Sequence, residues 1–152
     1  MKKLFFWAVS AMLLMSMSAG AQTRFEWKQY GLSFGVPSGF KVSKNTATSF
    51  EASNANINLT IEVFDHDDIS GDALGEALGG LAGELDMEDA EVGELRLSTL
   101  EGAYIEGTVD DAGTILVMLV DSESNIALLA TIVYADGYEK QATNICNSFT
   151  IK

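Results

Sequence analysis

One cysteine, one proline and one histidine serve the whole 152-residue chain, and each scarcity removes a class of protein. A lone Cys146 closes no internal disulfide, so a domain meant for an oxidising compartment must hold itself together by its core. Between Ile145 and Phe149 it reads as a buried thiol acting as a small hydrophobe, with an intermolecular bridge as the other option. Lys140, the nearest cation, lies six residues back, which is weak support for a reactive thiolate. The single His66 precludes paired-histidine acid–base sites and leaves a Ser-His-Asp arrangement with one candidate, set in an acidic loop. Pro37 marks one turn, Val36-Pro37-Ser38-Gly39, because it cannot donate to a strand ladder.

Positive charge is also missing. No Lys or Arg stands between Lys44 and Arg96, yet thirteen acids fall from Glu51 to Glu94. Such a run is either a solvated face or a binding surface. The whole chain carries twenty-two acids against nine Lys and Arg. A surface this acidic repels phosphate backbones and anionic headgroups, which makes nucleic acid and bare membrane poor partners and cations or a basic protein surface better ones.

What is present begins with "MKKLFFWAVSAMLLMSMSAGAQT". Lys2 and Lys3 form a positive start, Leu4 to Met17 an apolar run, and Ala19-Gly20-Ala21 a small-residue cleavage site, so residues 1–21 are expected to be a secretory signal removed before Gln22. The run is shorter than the ~20 apolar residues of a spanning helix and contains Ser10, Ser16 and Ser18. No cysteine follows the cleavage point to carry a lipid. The expected product is residues 22–152, one soluble periplasmic or extracellular domain with no membrane span and a net charge of about −15, from seven Lys and Arg against twenty-two acids.

Periodicity then orders the chain. "FEWKQYGLSFGVPSGF" holds two apolar-aromatic stretches parted by Gly31, and "SFEAS" is a short strand candidate. In "NINLTIEVF", Ile57, Leu59, Ile61 and Val63 alternate with polar residues, the signature of a half-buried strand. Asn58-Leu59-Thr60 matches a glycosylation sequon by chance in mid-strand. Leu74, Leu78, Leu81 and Leu85 fall on one helical stripe. "ELRLSTL", "AYIEGTV", "GTILVMLV" and "NIALLATIVYA" are four further strands, with turns at Leu100-Glu101-Gly102, Asp110-Asp111-Ala112-Gly113 and Asp121-Ser122-Glu123-Ser124. Short connections make these hairpins antiparallel. The last two strands are apolar almost without alternation, so the sheet centre is expected to be covered on both faces. The first helix and a closing helix near Tyr138 to Asn147 are the available covers. There is no internal repeat, low-complexity segment or second domain.

The order is α+β: a single layer of mostly antiparallel sheet, about six to seven strands, flanked by helices. At this point "YGLSFGVPSGF" resembles the strand–Pro–Gly–aromatic opening of PsbP-like and DcrB-like domains, and "ATNICNSFTI" resembles their closing helix with its Ser-Phe and short strand. The resemblance spans about the whole of residues 22–152 and rests on short, mostly structural motifs. Phe40 stands where such domains often carry Trp. It implies an antiparallel sheet flanked by helices and an accessory, mostly non-enzymatic role. The photosynthetic members work beside a metal cluster through residues that have no match here.

"DHDDISGDALGE" concentrates acids and the only histidine, with Asp65, Asp67 and Asp68 the weak candidates for a metal. A calcium-loop register begun at Asp65 puts Ile69 and Ser70 where an acid and the turn glycine belong; begun at His66, it starts on a histidine and ends on Ala77. Zinc lacks further nitrogen or sulfur ligands. The stretch serves better as a helix start, with Ser70 as N-cap, Ile69 and Leu74 as a hydrophobic staple and Asp72 at the positive end of the dipole. Within that helix Gly75, Gly79 and Gly83 sit four apart and form a stripe of their own. It either receives a neighbouring loop, a second copy or a partner segment, or is a tolerated weakness.

No motif for catalysis is present: "GEALGGLAG" lacks the Lys-Ser/Thr of a phosphate loop, and no pair of carboxylates is singled out by spacing. The chain therefore reads as an exported non-enzymatic accessory module, without a cofactor, that binds another protein or itself. The alternative is a low-affinity binder of divalent cations or small ligands using the acidic 62–94 segment.

Overall fold

The computed structural model of the chain describes residues 22–65, 71–97, 100–121 and 126–151. Five strands come first: β1 (Gln22–Trp27), β2 (Leu32–Pro37), β3 (Lys41–Asn45), β4 (Ser49–Ser53) and β5 (Ile57–Asp65). Helix α1 (Gly71–Glu84) follows, then a meander of β6 (Glu88–Arg96), β7 (Leu100–Val109), β8 (Ala112–Asp121) and β9 (Ile126–Tyr134). The chain closes with α2 (Glu139–Cys146) and β10 (Thr150–Ile151). Seven strands form one antiparallel sheet in the order β3-β4-β5-β9-β8-β7-β6. The α+β class, the antiparallel sheet and the flanking helices are those expected. A second, three-stranded sheet of β1, β2 and β10 adds a layer, because β2 pairs with β1 and β10 and not with β3.

β8 and β9 lie near the middle of the large sheet. The unbroken apolar run of β8 is explained by its two faces: Ile115, Val117 and Leu119 enter one core, Leu116 and Met118 the other. The first core lies under the small sheet and α2. There Phe34 meets Phe50 at a ring-centroid distance of 5.3 Å and Phe149 at 5.5 Å, with Trp27 buried beside them. Each such ring contributes about 1.5–3 kcal/mol by leaving water. Ser148 explains why Ser precedes that Phe: its hydroxyl accepts the Gly35 amide at 2.8 Å and donates to the Ile145 carbonyl at 2.7 Å, tying the end of α2 to β2.

α1 covers the other face, over β7 and β8. Its buried row is Leu74, Leu78 and Ala82, packed on Ile105, Leu116 and Met118. This corrects the expected leucine row. Leu81 is only partly buried, and Leu85 falls beyond the last helical residue with 42% of its surface exposed, because the chain turns there through Asp86 at φ 55° toward β6.

Two turns also differ. Leu100, Glu101 and Gly102 belong to β7 and pair with Asp121, Val120 and Leu119. Gly102 is glycine for closeness and not for turning: a Cβ there would lie 1.9 Å from the Met118 carbonyl oxygen. "ELRLSTL" accordingly supplies the end of β6 and the start of β7, and β6 reaches back to Glu88 through a run of acids with no apolar alternation to announce it. Only Asp110 and Asp111 form the next turn, both in the left-handed region (φ 52° and 68°) that a two-residue hairpin requires, while Ala112 and Gly113 open β8. The exposed strand β3 goes unmarked in the sequence for the same want of an apolar face.

Gly102→Ala should therefore destabilise the fold by about 1–3 kcal/mol or more, the range for overpacking. Gly79→Ala should stabilise it by about 0.5–1 kcal/mol, since no atom lies within 4 Å of the added methyl. Urea unfolding of the two variants beside the wild type measures both.

Candidate functional site

α2 packs on β2, β8 and β9 and leaves the same face of β6 and β7 open beside it. A trough of about 760 Å³ results. Asp89 and Glu91 of β6 form one side, Glu106, Thr108, Asp111 and Gly113 of the β7–β8 hairpin the floor, and Tyr134, Asp136, Glu139 and Lys140 the end toward α2. A smaller hollow of about 120 Å³ continues under α2 between Leu95, Tyr104, Ile115, Thr143 and Cys146, and Glu106 lines both.

Glycines shape this floor. Gly113 stands opposite Tyr134 across the β8–β9 pair, and a Cβ on it would come within 2.3 Å of the tyrosine ring. Gly93 stands opposite Tyr104 across β6–β7, and a Cβ there would lie 2.6 Å from that ring. Each ring lies down on the bare backbone facing it, which compensates a strand glycine for its missing side chain. Tyr134 is thereby aimed at Glu106, and its hydroxyl donates to Oε2 at 2.8 Å.

Electrostatically the trough is one-sided: Asp89, Glu91, Glu106, Asp111, Asp136 and Glu139 against Lys140. Among the described residues none of these six acids is within ion-pairing distance of a cation; the described pair is Arg96 with Glu101, exposed and at 3.6 Å. Burial, then the hydrogen bond and charge of Glu106, then Glu139, hold the Tyr134 phenol above its ordinary range. Burial, with a lesser push from Glu106, raises the Cys146 thiol to about 12. Both groups are thus neutral near pH 7 and offer no anionic nucleophile. The arrangement favours cationic groups by Coulomb attraction.

None of the expected site residues that the structure describes, Asp65, Gly75, Gly79 and Gly83, lines the trough. Asp65 closes β5 by its backbone, while Asp67, Asp68, His66 and the expected cap Ser70 lie outside the described residues. Among the described residues no three His, Cys, Asp or Glu side chains are grouped to hold a metal. Nothing lies within 4 Å of a Cβ placed on Gly75, Gly79 or Gly83, so the stripe receives no described loop of its own chain, and that form of the expectation is corrected. Each of these glycines directly follows a residue of the buried row Leu74, Leu78 and Ala82, so the stripe is turned about 100° from that row; Gly79 and Gly83 are exposed and Gly75 is partly buried. Cys146 is buried and free, as its apolar neighbours indicated.

Tyr134→Phe should cost about 0.5–1.5 kcal/mol in urea unfolding, the net worth of one hydrogen bond. The raised thiol carries a sign. In the folded state Cys146 keeps its proton above the pH, about 9, at which the unfolded chain loses it, so its contribution is complete below that pH and is lost as pH rises toward about 12. The wild type should lose stability between pH 9 and 10 by up to ~1.4 kcal/mol more than Cys146→Ala does, read from paired denaturation curves.

No family model matches the sequence, and no curated protein does. Solved structures do match. The Ran-binding protein Mog1p of Saccharomyces cerevisiae superposes with a TM-score of 0.58 at 9% identity, covering 86% of this chain and 95% of that one. A single-residue mutant of the protein Mog1 gives 0.57 at 11% identity over 86% and 95%. A protein of Bacteroides thetaiotaomicron VPI-5482 gives 0.51 at 14% identity over 87% of this chain, which spans about half, 49%, of that one. At these identities the likeness is one of architecture, and the chain has the α+β fold of Mog1p.

Proposed function

We propose that the protein is an exported, non-enzymatic accessory module whose acidic trough receives a basic region of another protein. The observation that carries this is the trough itself: a concave surface of about 760 Å³ with six carboxylates, none neutralised by a described cation. Unpaired charge of one sign in a concavity focuses the field and speeds capture of an opposite charge. The neutral phenol and thiol beside it support binding over chemistry. Two likenesses favour the same reading. Mog1p, which shares the fold, is a Ran-binding protein, and the PsbP-like and DcrB-like resemblance implies an accessory role. Export rests on the sequence pattern of residues 1–21, with mature protein beginning at Gln22.

The test is capture from cell-envelope extract on immobilised wild type and on the triple variant Glu91→Lys, Asp136→Lys, Glu139→Lys. Basic proteins should be retained by the wild type, released by about 300 mM salt, where exposed charges are largely screened, and absent from the variant. Equal retention by both proteins, or recovery of this chain alone, overturns the reading. Calcium and zinc titrations of the wild type by calorimetry form the second arm: a heat abolished in the triple variant would turn the trough from a protein site into a cation site.

A further inference from the structure

We propose that the partner's basic region is an extended segment that adds to the large sheet as a further strand along the open edge of β6. The proposal rests on the trough reading and states how the partner is seated.

The seven-stranded sheet ends at β3 on one side and β6 on the other, and among the described residues β6 pairs with β7 alone. The two edges are built differently. β3 has five residues, a register break between Val42 and Lys44, and lysines at 41 and 44. Shortness, bulges and lysine are how natural sheets blunt an edge. β6 has nine residues, and its register break is confined to the stretch between Glu88 and Glu91, around Asp89 at φ 55°. From Glu91 to Arg96 its pairing with β7 is unbroken, so six consecutive residues present a regular edge.

Charge selects the occupant. Glu88, Asp89, Glu91 and Glu94 are exposed along β6, and no cation appears before Arg96. Like charges on neighbouring strands oppose pairing and unlike charges favour it, so this edge rejects its own copy and admits a basic strand. The chain's net charge of −13 opposes self-association in the same sense. Glu91 lines the trough, Gly93 and Leu95 follow it on the same face with Leu95 at the smaller hollow, and Val92, 64% exposed, faces the opposite side with Glu94. A strand laid beside β6 would thus place alternate side chains over the trough acids and the others beside Val92. Main-chain hydrogen bonds would supply the hold and alternate side chains the specificity.

The probe is a synthetic peptide of alternating Lys and Val, about ten residues long to match β6, followed by fluorescence anisotropy and by amide hydrogen exchange. Two controls accompany it: a Glu-Val peptide, and a Lys-Val peptide N-methylated on two adjacent central residues, which blocks both of its pairing edges and keeps its charge. The expected result is binding of the Lys-Val peptide with slowed exchange within Glu91–Arg96, at least tenfold weaker binding of the methylated peptide (about 1.4 kcal/mol), and none of the Glu-Val peptide. Equal binding of the two Lys-Val peptides, or slowed exchange at β3 and not at β6, overturns strand addition and leaves the trough reading standing. Failure of both Lys-Val peptides to bind overturns the two together.

Discussion

β8 must bury both of its faces, and the rest of the molecule is arranged to meet that demand. Five consecutive apolar side chains, Ile115 to Leu119, alternate between two cores. A strand of this kind is stable only if each side of its sheet is roofed. α1 supplies one roof by setting Leu74, Leu78 and Ala82 on Leu116 and Met118. The small sheet and α2 supply the other, held by the aromatic cluster of Phe34, Phe50 and Phe149 and by the Ser148 hydroxyl. Both roofs are needed near the sheet's middle. Neither buries β3 or the Glu88–Glu91 stretch of β6.

The candidate site is a consequence of that economy of cover. α2 has eight residues and lies over β8 and β9, so the face of β6 and β7 beyond it stays open. An open face of apolar residues would be an aggregation hazard. Here it is occupied instead by carboxylates and by two tyrosines laid on Gly93 and Gly113, with Tyr134 held by Glu106. The same acids that keep this end of the sheet in water make it selective for positive charge. Exposure at the edge and concavity beside it thus have one origin, in the short reach of the helix.

How much of this is legible in the sequence depends on whether a segment's own side chains announce its environment. Ile57 to Val63 alternate because one face of β5 is buried, and the Ile115 and Ile126 runs are continuous because both faces are covered; such patterns survive in any context. β3 and β6 have no buried face, so no period marks them, and the sequence shows β6 only as a shorter strand beginning near Glu94. Gly102 reads as a turn residue because glycine serves turns and close strand approach alike, and only the distance to Met118 tells them apart. In α1 the leucine spacing points to the right face but carries one residue too far, since where a helix stops is decided by the chain that follows it. The acids of the trough are visible as an excess of charge, but nothing in their spacing along the chain groups Asp89, Glu91, Glu106, Asp111, Asp136 and Glu139 together.

The sequence by itself determined the α+β class, the antiparallel meander, the doubly covered centre and an acidic surface that repels polyanions. These follow from local period and from net charge, neither of which depends on what packs where. Tertiary structure alone decided that Glu91, Glu106, Asp136 and Glu139, which span forty-nine positions of the chain, share one trough. It also decided that Tyr104 and Tyr134 face glycines and that β6 ends the sheet. Those facts depend on strand order and register, which are set by the packing of the entire sheet at once and are written in no single segment.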